Sequence, residues 1–371
     1  MLGLWRRISN RLRSGDSAQG SLPFGPGHTP RRITLLKSAA IGDTVLLSAV
    51  VRDLRGFFPQ AHLSLACGAS NVGLARLVGG IDEVIMLPMS RPLAIWRESW
   101  RLRSDLFIDF DSWPRVNALV TFCSDSARTV GFRTPGQFRH AVYDVVVDHL
   151  PTTHEVENYR NLVRAVLPRD RPALTATPRP WLLNAGGAST TNDIGLAPRY
   201  IVFHLFAGGS QRHYKQWPLN HWRALASWCV ERGLRVYLSG GLADLTQNEA
   251  FSAAFGPGGS VRPLPVSGLA ELMTILVAAR AVVSVDTGVA HLAGAVGAPT
   301  LVLHGPTSPS RWGALGDRVR FAKDEQTPWI SLGFEESAAG RPVQLSMEQV
   351  RDALSSLIAE TETLTSTLDP R

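Results

Sequence analysis

The chain of 371 residues is long enough for two domains of ordinary size, and 44% hydrophobic with 19% charged side chains places it among globular proteins. A formal net charge of +7 favours anionic partners, meaning nucleic acid, an anionic membrane surface or a phosphorylated substrate. Cys67, Cys123 and Cys229 are far apart and have no CxxC spacing, which excludes a zinc site of that kind and a disulfide framework and implies a reducing compartment.

Residues 1–30 lack the continuous apolar core of a secretory signal, and no run of about 18 apolar residues occurs anywhere, so neither export nor a transmembrane helix is expected. In MLGLWRRISNRLRSG, Leu2, Trp5, Ile8 and Leu12 fall at helical spacing, with Arg6, Arg7, Arg11 and Arg13 largely around them. Residues 1–15 thus read as a basic amphipathic helix able to lie on an anionic membrane, as a helix packed on the body of the protein, or as a frayed terminus. A flexible linker, SGDSAQGSLPFGPGHTP, follows. The expected location is cytoplasmic, peripheral at the inner face of the cytoplasmic membrane if the helix binds there.

Ile33–Leu36 reads as a strand, Thr44–Phe57 as a helix stopped by Pro59, and His62–Ala66 as a second strand. That is one βαβ unit, which implies a right-handed crossover and a parallel sheet. IDEVIMLPM, DLFIDF and ARTVGF read as further strands, with helices in LAIWRESWRLRS, PRVNALVTFCS and NYRNLVRAVL. These elements make a domain over residues 31–180, and the stretch 181–198, rich in Gly, Ala, Ser and Thr, reads as a linker. A second α/β series fills residues 199–343, with strands in RYIVFHLFAGG, RVYLSGG, AVVSVD and PTLVLHG and helices in PLNHWRALASWCVERG, GLAELMTILVAAR and GVAHLAGAVG. Residues 344–360 form a final helix and 361–371 a frayed tail. In doubly wound sheets ligands bind at the carboxyl ends of the strands, so a cleft faced by both domains is the expected site.

Four strand-end segments carry chemistry. In KSAAIGDTVL, Gly42 and Asp43 lie near the amino end of a helix, where a carboxylate either caps the helix or acts as a general base. Asp109-Phe110-Asp111 has the form of a metal-binding DxD, but no third acidic ligand is evident nearby. FHLFAGGSQRHYKQW presents Gly208, Gly209 and Ser210, then Arg212, His213 and Lys215, ahead of a helix, a composition that suits phosphate. It lacks the Walker A spacing. Only Lys37, Lys215 and Lys323 are lysines, which makes Lys215 conspicuous. Asp286-Thr287-Gly288 is the active-site triplet of aspartic proteases, but a single copy after the β-branched run ARAVVSV excludes that reading. Here Thr287, Gly288 and Val289 open a helix whose free amides attract an anion, and Asp286 either caps that helix or takes part in binding. No GxGxxG follows the first strand of either domain, which disfavours a nicotinamide dehydrogenase.

Three motifs in order resemble glycosyltransferase family 9, the heptosyltransferases of lipopolysaccharide core assembly: LLKSAAIGDTVLLSAVVRDLRGFFPQAHLSLA, FHLFAGGSQRHYKQWPLNHWRALA and VVSVDTGVAHLAGAVGAPTLVLHGPTSPSRWGALG. The resemblance implies a GT-B fold, two Rossmann-like doubly wound α/β domains facing a central cleft, with the C-terminal helix crossing back. It implies inverting, metal-independent transfer of a heptose-like sugar from a nucleotide-diphosphate donor such as ADP-heptose to a lipopolysaccharide-core or other glycan acceptor. No cofactor is implied. Carried over by position, Asp43 is the base, Lys215 neutralises the departing diphosphate, Asp286 holds donor hydroxyls, Thr287, Gly288 and nearby amides grip the pyrophosphate, and His291 lies close by. The partners implied are a nucleotide sugar and an anionic or lipid-linked glycan, not nucleic acid. A nucleotide-sugar epimerase of the same fold and a non-catalytic glycan- or nucleotide-binding protein are the alternatives. The cysteine-bearing segment that many family members carry before the last helix has no counterpart here, and the basic amino-terminal extension lies outside the motifs.

Overall fold

The computed structural model describes residues 29–168, 173–175, 196–197, 199–209, 212–264, 266, 268–323 and 343–368, the last six by backbone alone. The amphipathic segment, most of the linker over 181–198 and the end of the tail lie outside the described residues. The chain divides into two compact units, Met1–Ala176 and Thr177–Arg371.

In the first unit six strands form one sheet: β1 (Arg32–Lys37), β2 (His62–Cys67), β3 (Glu83–Met86), β4 (Leu106–Asp109), β5 (Arg128–Arg133) and β6 (Val145–Asp148). Their order is β3-β2-β1-β4-β5-β6 and all pairs are parallel. The helices are α1 (Ile41–Phe57), α2 (Val72–Ala75), α3 (Pro92–Ser99), α4 (Arg115–Cys123) and α5 (Glu155–Arg164). Strands β1, β2 and β4 are buried almost throughout, as expected of a parallel sheet covered by helices on both faces. The chain reverses its winding at β1 and β4, which are sheet neighbours, so loops diverge there and leave a crevice at the strand ends.

The second unit repeats the plan. Strands β7 (Tyr200–His204), β8 (Arg235–Leu238), β9 (Val261–Pro263), β10 (Ala281–Val285), β11 (Thr300–His304) and β12 (Val319–Lys323) lie in the order β12-β11-β10-β7-β8-β9, all parallel. The switch point is the β7–β10 pair. Helices α6 (Leu219–Glu231), α7 (Leu245–Ala253), α8 (Leu269–Ala278), α9 (Gly288–Ala295), α10 (Pro309–Trp312) and α11 (Met347–Leu368) complete it. Helix α11 packs on this unit, with Val350, Leu354 and Leu357 in the same core as Phe203, Trp217 and Trp222. It runs past Glu360, where the sequence pattern puts its end, and Thr361 is still buried.

Strands β6, β9 and β12 and helix α7 go unannounced in the sequence. All three strands are sheet edges, and β6 and β12 are only partly buried, so their side chains lack the continuous apolar pattern. Strand β9 is three residues long and ends in Pro263. Helix α7 buries only Asn248 and Phe251, too few to print a helical stripe.

Glycine at position 131 in β5 is needed for packing, because a Cβ there would run into the Tyr143 ring, which lies against the strand. Gly131→Ala is therefore expected to destabilise the protein by about 1–3 kcal/mol through overpacking. The check is a lower urea midpoint with an unchanged m-value.

Candidate functional site

In the first unit the pairing of Leu36 with Asp109 brings the end of β1 alongside the residues that leave β4. Lys37 Nζ donates to Asp111 Oδ1 at 2.5 Å and lies 3.1 Å from Asp43 Oδ2. The other Asp111 oxygen accepts from the Ser38 amide at 2.6 Å, from Ser38 Oγ at 2.8 Å and from Asn117 Nδ2. Asn71 donates from Nδ2 to the Lys37 carbonyl and to Thr44 Oγ1, both at 2.9 Å, and so ties the end of β1 to the first turn of α1. Asp43 lies in that turn but does not cap the helix. The N-cap is Ala40, no side chain caps it, and the Asp43 carboxylate turns to Lys37.

The two strand-end carboxylates of the DxD-like stretch are both engaged. Asp109 accepts from Arg139 Nη2 at 2.5 Å and from Tyr143 OH at 2.6 Å, with Arg139 also bonded to the Asp111 carbonyl. Asp111 is held by Lys37, Ser38 and Asn117, and among the described residues no cluster of three or more metal-ligating side chains occurs.

Exposure separates the charged groups. The Asp43 side chain is 34% exposed, against 5% for Lys37 and 6% for Asp111, so only Asp43 can meet a substrate. Burial disfavours the charge on Lys37, but Asp111 and Asp43 outweigh it and raise its ammonium well above the ordinary range. Burial also pushes the Asp43 carboxyl up. Lys37 pulls it back, Glu155 and Asp111 add to the rise, and the net direction is upward, toward a usable base.

In the second unit Lys215 ends a 3₁₀ turn, Arg212–Lys215, after β7. Its Nζ donates to Asp286 Oδ2 at 2.8 Å and approaches the Asp286 carbonyl at 3.4 Å. The residues that follow are anchored: the Val343 amide donates to the Gln216 carbonyl at 2.9 Å, and Trp217 Nε1 donates to the Leu345 carbonyl at 2.8 Å. Gly305, just past β11, leaves room for the turn. A Cβ there would lie 3.3 Å from the Tyr214 carbonyl oxygen.

Asp286 does not cap α9 either. Thr287 is the N-cap and its side chain does not cap the helix, which leaves the first amides without a side-chain cap and open to an anion. Burial alone would raise Asp286, but Lys215, then His304 and His291, hold its carboxyl well below the usual range. Burial pushes the His304 imidazole down against the pull of Asp286. Its Nδ1 donates to the Thr307 carbonyl at 3.2 Å, and its buried Nε2 has no hydrogen-bond partner among the described residues.

Among the expected residues, Lys215, Asp286, Thr287, Gly288, Val289 and His291 therefore come together at the switch point of the second sheet. Gly42 is buried beside Asp43 in the first turn of α1. Gly208 and Gly209 are exposed, and Gly209 has φ +86, a conformation that favours glycine. Ser210 lies outside the described residues. Sequence reading missed Lys37, Asp111, Asn117 and His304 as parts of these clusters. Polar residues closing apolar strands, Lys37 after RITLL and His304 after TLVL, were the available signal.

Two doubly wound α/β units, each built on a six-stranded parallel sheet, are the components of the GT-B fold. The Escherichia coli ADP-heptose lipopolysaccharide heptosyltransferase II structure matches with a TM-score of 0.72 at 22% identity, covering 89% of this chain and 99% of that one. The Escherichia coli heptosyltransferase WaaC solved with ADP matches with a TM-score of 0.68 at 20% identity, covering 89% and 99%. The model of glycosyltransferase family 9 (heptosyltransferase) matches residues 101–332, so the chain belongs to that family and is a glycosyltransferase. The lipopolysaccharide heptosyltransferase 1 of Salmonella typhimurium is 24% identical over 313 residues, 77% of this chain and 92% of the relative.

The Lys215–Asp286 pair has a pH signature. Because the folded Asp286 carboxyl is depressed, its contribution is complete above the unfolded value of about 4 and is lost as pH falls toward the folded value. The stability deficit of Asp286→Asn relative to the parent is expected to be constant above about pH 5 and to shrink below about pH 4. Urea midpoints measured across that range check it.

Proposed function

We propose that the chain transfers a heptose from ADP-heptose to a hydroxyl of a lipopolysaccharide-core acceptor, with inversion and without a metal. Family membership supports sugar transfer, the named activity of the Salmonella typhimurium relative supports the acceptor class, and the WaaC structure with ADP supports the nucleotide. The observation that carries the reading is Asp43, a partly exposed carboxylate anchored by a buried lysine at a sheet switch point.

The acceptor hydroxyl gives its proton to Asp43, and its oxygen attacks the anomeric carbon of the donor. The bond from that carbon to the phosphate oxygen breaks on the opposite face, and the diphosphate leaves with the bonding pair. A single displacement of this kind inverts the anomeric centre. Lys215 carries three N–H donors and spends its closest contact on Asp286, so it can also face the departing diphosphate, as can the first amides of α9. Asp286, with its side chain only 6% exposed, holds Lys215 in place. Lys37 positions Asp43 and tunes its basicity without meeting substrate.

Asp43→Asn is expected to lower kcat by about 10²–10⁴-fold while nucleotide affinity stays within about twofold of the parent. Steady-state kinetics and ADP titration measure the two. Lys37→Met removes the pull that lowers the Asp43 carboxyl, so the acidic limb of the kcat/KM profile is expected to move to higher pH. Transfer is expected to persist in excess EDTA. An Asp43→Asn enzyme with normal turnover would sink the base assignment, and sugar interconversion in the absence of any acceptor would point to epimerisation instead.

A further inference from the structure

One face of the first unit carries an apolar surface that the chemistry above does not use. Helix α3 buries Ile95 and Ser99, and Leu93, Trp96 and the C-cap residue Trp100 are left 85%, 55% and 42% exposed. The two indoles meet edge to face at 5.8 Å. Helix α4 packs beside α3 and adds exposed Leu119. Arg115 at the start of α4 donates to the Gly136 carbonyl at 3.3 Å, which brings in the loop that bears exposed Phe138. Single exposed leucines are ordinary on a globular protein, but large apolar side chains on adjoining segments mark a contact surface.

The charge around this face is positive. Arg91, Arg97, Arg101, Arg103 and Arg115 are all exposed there. Arg97 and Arg101 share one carboxylate, Glu98, at 3.5 and 3.2 Å, and Arg103 meets Asp125 at 3.0 Å. A second copy of the same face would set arginine against arginine. The amino-terminal segment brings four more arginines (Arg6, Arg7, Arg11 and Arg13), so it repels the face as well. The occupant is therefore anionic, and it must also accept Leu93, Leu119 and Phe138. A phosphate backbone offers those side chains nothing. A bilayer interface does: indole rings settle at the headgroup level, aliphatic side chains reach the acyl boundary, and arginines pair with lipid phosphates.

We infer that this face of the first unit, built on α3 and α4, docks on a bilayer rich in anionic headgroups. The docking is separate from any contact made by residues 1–15 and holds whichever sugar is transferred.

The test uses the full chain in a Cys123→Ser background, since Cys67 and Cys229 are buried. Leu93→Cys is labelled with an environment-sensitive dye, and Leu242→Cys, on an exposed turn of the second unit, serves as the control. On vesicles of phosphatidylglycerol and phosphatidylcholine the dye at position 93 is expected to shift to the blue and the dye at 242 to stay aqueous. Vesicles of phosphatidylcholine alone should give a much weaker shift, and added salt should reduce the response by screening. Trp96→Ser combined with Trp100→Ser is expected to lower the partition coefficient roughly tenfold while the protein stays folded with only a small drop in melting temperature, because about half of each residue is already exposed. The inference is overturned if vesicles capture the protein while position 93 stays aqueous, since the contact then lies elsewhere. No capture by anionic vesicles overturns it too, as does a blue shift that rises with protein concentration in the absence of lipid, which would mark a second copy.

Discussion

Lys37 carries a full positive charge to the switch point of the first sheet, where almost no water reaches it. A buried ammonium is tolerated only when anions replace its hydration, and here Asp111 and Asp43 do so at 2.5 and 3.1 Å. That requirement organises everything around it. Asp111 must be fixed, and Ser38 and Asn117 fix it. The end of β1 must be joined to α1, and Asn71 joins them. Buried charge networks are poor stabilisers compared with apolar packing of the same volume. What this one supplies is position: the free end of the chain of contacts is the one carboxylate that solvent, and hence a substrate hydroxyl, can reach.

The second unit solves a related problem with the order reversed. Here the carboxylate is buried and the lysine is the partly exposed partner, at 28% against 6% for Asp286. Asp286 is held ionised by Lys215 and by the histidines near it, while Lys215 remains accessible at the start of α9, where helix amides add their partial positive charge. One unit thus presents an anchored carboxylate and the other a lysine beside a helix start, and the proposed transfer uses the first as proton acceptor for the nucleophile and the second to stabilise the leaving diphosphate.

The βαβ rhythm, the strand-end loops and the three family motifs are all legible in the sequence, because parallel strands buried on both faces must be written as continuous apolar runs and the loops between them as glycine and small polar residues. The same logic hides the edges. Strands β6, β9 and β12 see solvent on one side or are very short, so their residues obey no strict pattern and are recognised only once a neighbour pairs with them.

Asp43, Lys215 and Asp286 stand out in the sequence as polar residues at strand ends, but the partners they meet do not. Both aspartates stand where a helix cap is expected, and spacing cannot say whether a carboxylate turns back to its own helix or across to a lysine. The register that sets Leu36 beside Asp109 brings Lys37 and Asp111, 74 residues apart, into contact, and the Lys215–Asp286 contact spans 71. Sequence alone determined the class of fold, the ends of the buried strands and the chemistry on offer there, because local burial and turn chemistry are local properties. Only the tertiary structure decided which charges pair, which stay open to solvent and which aromatic face is left uncovered, because pairing depends on strand order and register, and these join residues that the chain itself keeps far apart.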